Sequence, residues 1–351
     1  MAYGTVAADV ISNSVAGSSI GAGNASIMKN RIINGAMVIS QRNGTSTVTP
    51  ANGDFIVDRF SYVTTQSSKV TAAQSSTAPA GFTKSLLFTS SSAYSAAAGD
   101  LIAFSQAIEG FNIADLGWGT ASAKTVTLSF QVYSSLTGTF GGCFRNDAGN
   151  RFYVFSYSIP VANTWTTISI TVAGDTTGTW ATDNSAGIRL YFNLGSGTTY
   201  SGTAGSWGAT AYYNATGSVN LVGTSGATFY ITGVQLEVGS SATGFEYVNY
   251  QTSLANCQRY YTQFSNATLS DNLCAYTPYS PASYTSLPNS SAILPMYFPV
   301  SMRSAPTVVG VPYNGSINRQ TSTTNVAVFQ WASTSSSTTY GVSSYTATAE
   351  L

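Results

Sequence analysis

Histidine is absent from this sequence, and charge of either sign is scarce, with 13 basic and 13 acidic side chains among 351 residues. Without imidazole there is no Ser-His-Asp or Cys-His arrangement, and zinc loses its usual nitrogen ligand. Ordinary soluble domains are about one quarter charged; here the figure is 7%. The cations form no stripe either. The last lysine is Lys124, and beyond residue 250 the only cations are Arg259, Arg303 and Arg319. A nucleic-acid partner needs several Lys or Arg against its phosphates, so this distribution argues against one.

Cysteine is nearly missing as well. Cys143, Cys257 and Cys274 make an odd number with no CxxC or Cys/His grouping, so neither a disulfide framework nor a zinc site is expected. They read as small buried hydrophobes of a chain made in a reducing cytoplasm. No apolar run approaches the roughly 18 residues of a membrane span, and Met1-Ala2-Tyr3-Gly4-Thr5 lacks the cationic start of a secretory signal. Walker, HExxH and nucleophile-elbow patterns are absent too, so the expectation is a protein without catalysis, cofactor, metal or membrane insertion. Paired carboxylates alone can hydrolyse a glycoside. The acids available for it are Asp54, Asp58, Asp147, Asp175, Asp183, Glu109, Glu237 and Glu246. Asp175 and Asp183 lie in Gly/Thr-rich turns and read as turn formers, while Glu237 and Arg59 suit a structural ion pair or a subunit contact.

What the chain does have is apolar and uncharged polar material: it is 43% hydrophobic and 13% aromatic, set among Ser, Thr, Asn and Gly. That is enough to bury a core. From residue 31 to residue 248 the dominant period is two. Val126, Leu128, Phe130 and Val132 alternate with Thr125, Thr127, Ser129 and Gln131; Ile168, Ile170 and Val172 repeat the pattern, as do Ile188, Leu190, Phe192 and Leu194, and the run Thr228 to Val238. Turn residues such as Gly117, Gly119, Asp147-Ala148-Gly149-Asn150 and Gly195-Ser196-Gly197 separate these runs. The fold class is all-β: a jelly-roll β-sandwich over 31–248 and a smaller β domain over 249–351 with one short helix. The helix is expected within Asn249 to Ser265, where Leu254, Cys257, Tyr261 and Phe264 recur at spacings of three and four. Pro278, Pro281, Pro288, Pro295, Pro299, Pro306 and Pro312 punctuate the second domain, so its strands should be short or at edges. Residues 1–30, with isolated Val6, Val10, Val15 and Ile20, read either as a loose tail or as an extended attachment arm ordered on docking.

Cys257-Gln258-Arg259-Tyr260-Tyr261 together with Phe298-Pro299-Val300-Ser301-Met302-Arg303-Ser304-Ala305-Pro306 resembles a signature of fibre and tail proteins of tailed bacteriophages and prophages. Ile33-Asn34-Gly35-Ala36-Met37, Gln41-Arg42-Asn43-Gly44, Asp58-Arg59-Phe60 and Gly233-Val234-Gln235-Leu236-Glu237-Val238-Gly239 with Phe245-Glu246 are similar to the opening and closing strands of the accompanying sandwich domain. The resemblance implies a non-enzymatic virion structural protein of tail-fibre or spike type that attaches to a host surface glycan. A head decoration protein and a capsule depolymerase are the alternatives. It also implies a homotrimer, contacts with other virion proteins, and location in the virion. The sandwich further resembles carbohydrate-binding jelly rolls whose last strand often carries a calcium-binding Asp pair. Thr232 and Gly233 stand there instead, so no calcium is expected.

Sugars stack on aromatic faces and hydrogen-bond to uncharged polar groups. Two surfaces qualify. One is Arg151, Tyr153, Phe155 and Tyr157 with Arg189, Tyr191 and Asn193, which point outward if Phe152, Val154, Ile188 and Leu190 face the core. It is a glycan face, a subunit contact or part of the core. The other is Tyr276, Tyr279 and Tyr284 in a proline-stiffened loop, which either bind a receptor or pack on their own domain. The segment Tyr200 to Tyr213 is comparable, with Trp207 a possible plug of the sandwich end.

Overall fold

The computed structural model describes residues 28–265, 291–312, 317–332 and 342–351. The chain divides into two compact units with the boundary between Val248 and Asn249. In the first, the strands run β1 (Phe55–Val57), β2 (Phe60–Thr64), β3 (Val70–Ser75), β4 (Ser85–Ser90), β5 (Leu101–Glu109), β6 (Val126–Ser134), β7 (Gly138–Asn146), β8 (Phe152–Ile159), β9 (Thr166–Val172) and β10 (Ala186–Ser196). The two-residue strands β11 (Ser201–Gly202), β12 (Trp207–Gly208) and β13 (Asn214–Ala215) follow, then β14 (Thr228–Val238). Twelve of them form a seven-stranded sheet in the order β1-β2-β5-β10-β7-β8-β12 and a five-stranded sheet in the order β3-β4-β14-β6-β9, while β11 and β13 pair in parallel with each other. Pairing within both sheets is antiparallel throughout, which makes the expected sandwich.

The core lies between the sheets because the period-two pattern delivers one apolar face from each. Val126, Leu128, Phe130 and Val132 of β6 meet Ile188, Leu190, Phe192 and Leu194 of β10 there. Ring pairs join the layers, Phe88 with Phe104 at 4.8 Å and Phe130 with Phe192 at 5.1 Å, and Phe104 stacks on its strand neighbour Phe192 at 5.1 Å. Each fully buried Phe contributes about 2–3 kcal/mol.

Strand β14 holds the centre of the five-stranded sheet, and its register against β6 shifts between Thr232 and Gln235. Gly233 sits at this bulge with φ +63°, under the ring of Phe82. The bulge changes which parity faces inward, from Phe229 and Ile231 to Val234 and Leu236. Without it Gln235 and Glu237 would point into the core. Both are instead satisfied outside it: Glu237 accepts from Gln235 Nε2, Thr243 N and Thr243 Oγ1, and Gln235 Oε1 accepts from Glu246 N.

The opening segment binds this same strand. Arg31 N donates to Leu236 O at 2.9 Å, Val234 N to Gly35 O at 3.0 Å, and the Asn30 side chain bridges Val234 O and Leu236 N. Lys29 and Asn30, placed in the arm by the sequence, therefore belong to the sandwich. Val6, Val10, Val15 and Ile20 lie outside the described residues. Asn34, at φ 61°, bonds Ile39 in both directions and donates to Asp58 O. Asp58 in turn accepts from Gln41 N. The residues that carry the family resemblance here are thus fastenings. Glu237 is bonded to Gln235 and Thr243, whereas Arg59, between β1 and β2, donates to Ala107 O of β5 in its own sheet.

At one end of the sandwich Trp118, Trp180 and Trp207 pack edge to face at 4.8–5.4 Å. Trp207 Nε1 is spent on Ala173 O, so Trp207 is a plug. The adjoining loop is pinned by Asp175, which takes Arg151 through two bonds of 2.7 Å and accepts from Thr177 N as a turn former does. Burial alone raises the Asp175 carboxyl, but the Arg151 and Thr177 bonds outweigh it and hold the group below the ordinary range.

In the second unit α1 (Tyr250–Gln258) is capped by Asn249, whose side chain accepts from Thr252 N at 2.9 Å. The chain then continues as β15 (Tyr261–Ser265), β16 (Ser291–Tyr297), β17 (Thr307–Pro312), β18 (Ile317–Ser322), β19 (Val326–Ala332) and β20 (Val342–Thr348). These form two three-stranded sheets, β15-β20-β17 and β16-β19-β18. The helix is shorter than its spacing predicted: Tyr261 and Phe264 belong to β15, because pairing with Thr348 and Tyr345 extends the backbone after Tyr260. Pro295 falls on the edge strand β16 and Pro312 at the end of the edge strand β17, where a missing N–H is tolerated. The two motif segments meet, with Arg303 N donating to Arg259 O at 2.9 Å and Ala349 N to Tyr260 O at 2.7 Å. Cys257, Tyr260 and Met302 are buried around this junction. No described helix is long and apolar enough to cross a membrane.

Two stability outcomes follow from these contacts. Gly233→Val combines a positive φ with the Phe82 ring and should cost about 2–3 kcal/mol in urea denaturation, whereas Gly208→Ala, in open space, should cost under about 0.5 kcal/mol. Asp175→Asn should cost about 2–3 kcal/mol at neutral pH, below the range for fully buried pairs because Arg151 keeps some water. A depressed carboxyl stabilises above its unfolded value of about 3.9 and stops doing so as pH falls through the folded value. The difference between Asp175→Asn and the parent should accordingly shrink below about pH 4, which a denaturation series over pH would read.

Candidate functional site

The outward parity of the five-stranded sheet carries a row of rings. Tyr230 of β14 lies directly opposite Tyr133 of β6 on one side and Leu87 of β4 on the other. Trp165, just before β9, completes the row at 5.6 Å from Tyr133. Tyr133 and Tyr230 meet edge to face at 5.2 Å, and all three rings are half-buried. Desolvation raises the Tyr230 hydroxyl. With strands about 4.8 Å apart, the row crosses four of them over about 15 Å. Uncharged polar side chains flank it. Thr89 and Thr228 face each other on one side, and Gln131 and Thr167 on the other, where Thr167 Oγ1 donates to Gln131 Oε1 at 3.1 Å. Apolar faces between hydroxyl and amide rows match a sugar chain, whose CH patches alternate with hydroxyls.

The seven-stranded sheet divides the residues that the sequence had grouped together. Phe155 and Tyr157 face the inter-sheet core, Tyr157 at 6% exposure, and Tyr153 packs against it beside Trp207 at 5.2 Å. Phe152 and Val154 lie on the opposite face. Of the readings open for this set, Tyr153 and Tyr157 therefore take the core one, and the outward parity does not hold for β8. The inference rested on apolar parity facing the core, but this sheet has a second apolar layer where the segment from Tyr200 to Tyr213 covers Phe152, Val154 and Cys143. Tyr157 has no hydrogen-bond partner for its hydroxyl, and burial pushes its pKa up.

Arg189, Tyr191 and Asn193 do take the outer parity. Tyr191 is 5% exposed beneath Tyr213, at 5.0 Å, and accepts from Arg145 Nε at 3.2 Å. Burial raises Tyr191, with Arg145 acting against it, and burial lifts Tyr213 to about 12. Arg189 Nε donates to Asp147 Oδ1 at 2.8 Å. Tyr276, Tyr279 and Tyr284 lie outside the described residues.

Several of the acids named from the sequence are held in local bonds. Asp54 accepts from Ala51 N, Asp147 pairs with Arg189, Asp175 with Arg151, and Glu246 accepts from Asn30 N. Asp183 accepts from Ser185 N. Among the described residues, no group of three or more His, Cys, Asp or Glu gathers that would hold a metal. Cys143 is buried and its thiol is pushed up by burial, away from nucleophilic use.

The sequence reading missed Tyr133, Trp165, Tyr230 and Arg145. A signal existed for two of them: Tyr133 and Tyr230 are aromatic at the polar parity of strands whose other parity is Leu128-x-Phe130-x-Val132 and Phe229-x-Ile231. Such a ring has no core to fill.

No protein-family model matches the sequence, and no curated protein matches it. Likeness to solved structures is distant. The enzymatically active domain of tailspike protein 4 from bacteriophage CBA120 matches over 60% of this chain at 14% identity and a TM-score of 0.33, and the match spans 21% of that chain. The family 11 carbohydrate-binding module of a Clostridium thermocellum cellulosomal cellulase matches over 56% of this chain and 100% of its own, at 13% identity and a TM-score of 0.29. The N-terminal cellulose-binding domain of Cellulomonas fimi β-1,4-glucanase C matches over 46% of this chain and 80% of its own, at 12% identity and a TM-score of 0.25. The chain thus contains a β-sandwich distantly similar to carbohydrate-binding modules and to part of one phage tailspike.

Proposed function

We propose that this chain is a non-catalytic structural protein of a bacteriophage particle, of tail-fibre or spike type, that binds glycan on the host surface. The observation that carries the glycan reading is the row Leu87, Tyr230, Tyr133 and Trp165, flanked by Thr89, Thr228, Gln131 and Thr167 on a sheet face without a charged side chain in the row. Asp54, Asp147, Asp175, Asp183 and Glu246 are engaged in local bonds or ion pairs, which supports a binding role. The fibre assignment rests on the two motif segments that meet at Arg303 N and Arg259 O.

Assembly as a homotrimer belongs to the same proposal. In the second unit Val309 and Val311 of β17 are 59% and 50% exposed on a face shared with Thr307, Ser344, Thr346 and Gln263. None of these is charged, and Tyr297 is exposed to 77% as well. Covering such a face against sister chains removes apolar surface from water.

Trp165 supplies the readout for sugar binding. Titration with neutral cello-, manno- and galacto-oligosaccharides should quench its fluorescence for at least one series, and Trp165→Ala or Tyr133→Ala should weaken that ligand about tenfold, near 1.4 kcal/mol per ring. Unchanged fluorescence across all three series, or alanine variants that bind as well as the parent with equal thermal midpoints, would sink the row as a site. For assembly, light scattering of the full chain should return three times 36.5 kDa, Val309→Lys with Val311→Lys should yield monomers, and labelled chain should decorate the tail of the particle. A monomeric parent counts against the trimer, and label on the head against the tail.

A further inference from the structure

We propose a second recognition site, for a carboxylate-bearing sugar, on the outer face of the seven-stranded sheet, built by Arg145, Arg189, Tyr191 and Tyr213. Arg189 of β10 and Arg145 of β7 are direct register partners. Like charges directly opposite each other destabilise a sheet, and with 13 basic residues in 351 the pair does not follow from a basic composition. Their charge is not balanced locally. Asp147 meets Arg189 through its carboxylate, but gives Arg145 only its backbone oxygen, at 3.4 Å. Among the described residues Arg145 has no ion pair, in contrast to Arg151 with Asp175 and Arg31 with Asp115. One net positive charge is left over.

The guanidinium that lacks a carboxylate is also the one held in place. Arg145 Nε is bonded to the Tyr191 hydroxyl and its guanidinium carbon lies 5.6 Å from the Tyr191 ring centroid. Tyr191 is backed by Tyr213, which Phe152 and Tyr200 support at 5.5 and 5.7 Å. A fixed planar fork matches a carboxylate through paired N–H···O bonds at little entropic cost. On the other flank β5 opposes Arg189 and Tyr191 with Ala107 and Ser105, so no bulky side chain walls off the pair. A second, independent feature lies two residues along the same parity. Asn193 is 2% exposed, and neither its Nδ2 nor its Oδ1 has a hydrogen-bond partner. An unspent buried amide on the same face of β10, one outward position beyond Tyr191, suits a ligand that brings hydroxyls, directly or through a bridging water. The ligand class is an acidic saccharide, a uronic or ulosonic acid.

This site is on the opposite sheet from the ring row, so the two are separable. The full chain is titrated with oligogalacturonate, oligoglucuronate and a sialyl-oligosaccharide, with the neutral galacto-oligosaccharide and inorganic sulfate as comparators. At least one acidic probe should bind, more weakly at high salt, and Arg145→Gln should weaken it at least tenfold while Trp165→Ala leaves it unchanged. Arg145→Lys, which keeps the charge and loses the fork, should fall between. Should Arg145→Gln fail to fold, Arg189→Gln, whose side chain is 23% exposed, reads the same loss. The proposal is overturned if no acidic probe binds, if the arginine variants bind like the parent, if neutral sugar binds as tightly, or if sulfate competes as well as the acidic sugar. Loss of neutral-sugar binding in Trp165→Ala concerns the ring row alone.

Discussion

Everything in the first unit depends on where β14 lies. It is the last strand to be made and the middle one of its sheet, held by β4 and β6 on its two sides and by the segment Asn30 to Gly35 across Val234 and Leu236. A strand that closes a sheet from the inside cannot pair until β4 and β6, about 140 and 100 positions earlier, are in place. The contacts that matter most are therefore long-range, and closing such loops early in folding is entropically costly. The Gly233 bulge lets this strand keep apolar residues inward along its whole length while Gln235 and Glu237 are satisfied outside.

The scarcity of charge shapes both proposed faces. Where ions are few, each one that is not locally balanced stands out against a Ser/Thr background, and Arg145 does so. Sheet parity does the rest. A strand gives one face to the core, so a ring at the other parity either meets a covering loop, as Tyr191 does, or stays half-open, as Tyr133 and Tyr230 do. The two sheets thus reach different surface chemistry by the same rule.

The all-β class, the strands around β6, β9, β10 and β14, and the need for a short helix were legible because period two and a spacing of three and four are local signals. What was not legible has physical reasons. Period two gives the relative phase of residues within a strand but not which face is the core. Strand β8 is apolar on both faces, with Phe152 and Val154 under a loop and Phe155 and Tyr157 in the sandwich, so alternation alone left its phase open. In Leu254, Cys257, Tyr261 and Phe264 a helical spacing ran on into residues that pair with β20, since four apolar positions do not separate one more helical turn from a strand. β18 and β20, rich in Ser, Thr, Asn and Gln, carry too little apolar contrast to register as strands at all. The motif residues were visible at once, and their structural meaning was not: Asn34, Asp58, Gln235 and Arg303 are spent on backbone and on one another.

The tie between the opening segment and β14 has a mechanical side. Residues 29–31 and 234–246 are bonded together, so the chain enters and leaves the sandwich at one place. A pull applied between residue 28 and residue 248 would load those few bonds first and leave the strands of both sheets largely off the line of force. A domain fastened in this way hangs from its chain like a pendant on a cord, and tension along the cord tests the clasp before it tests the stone.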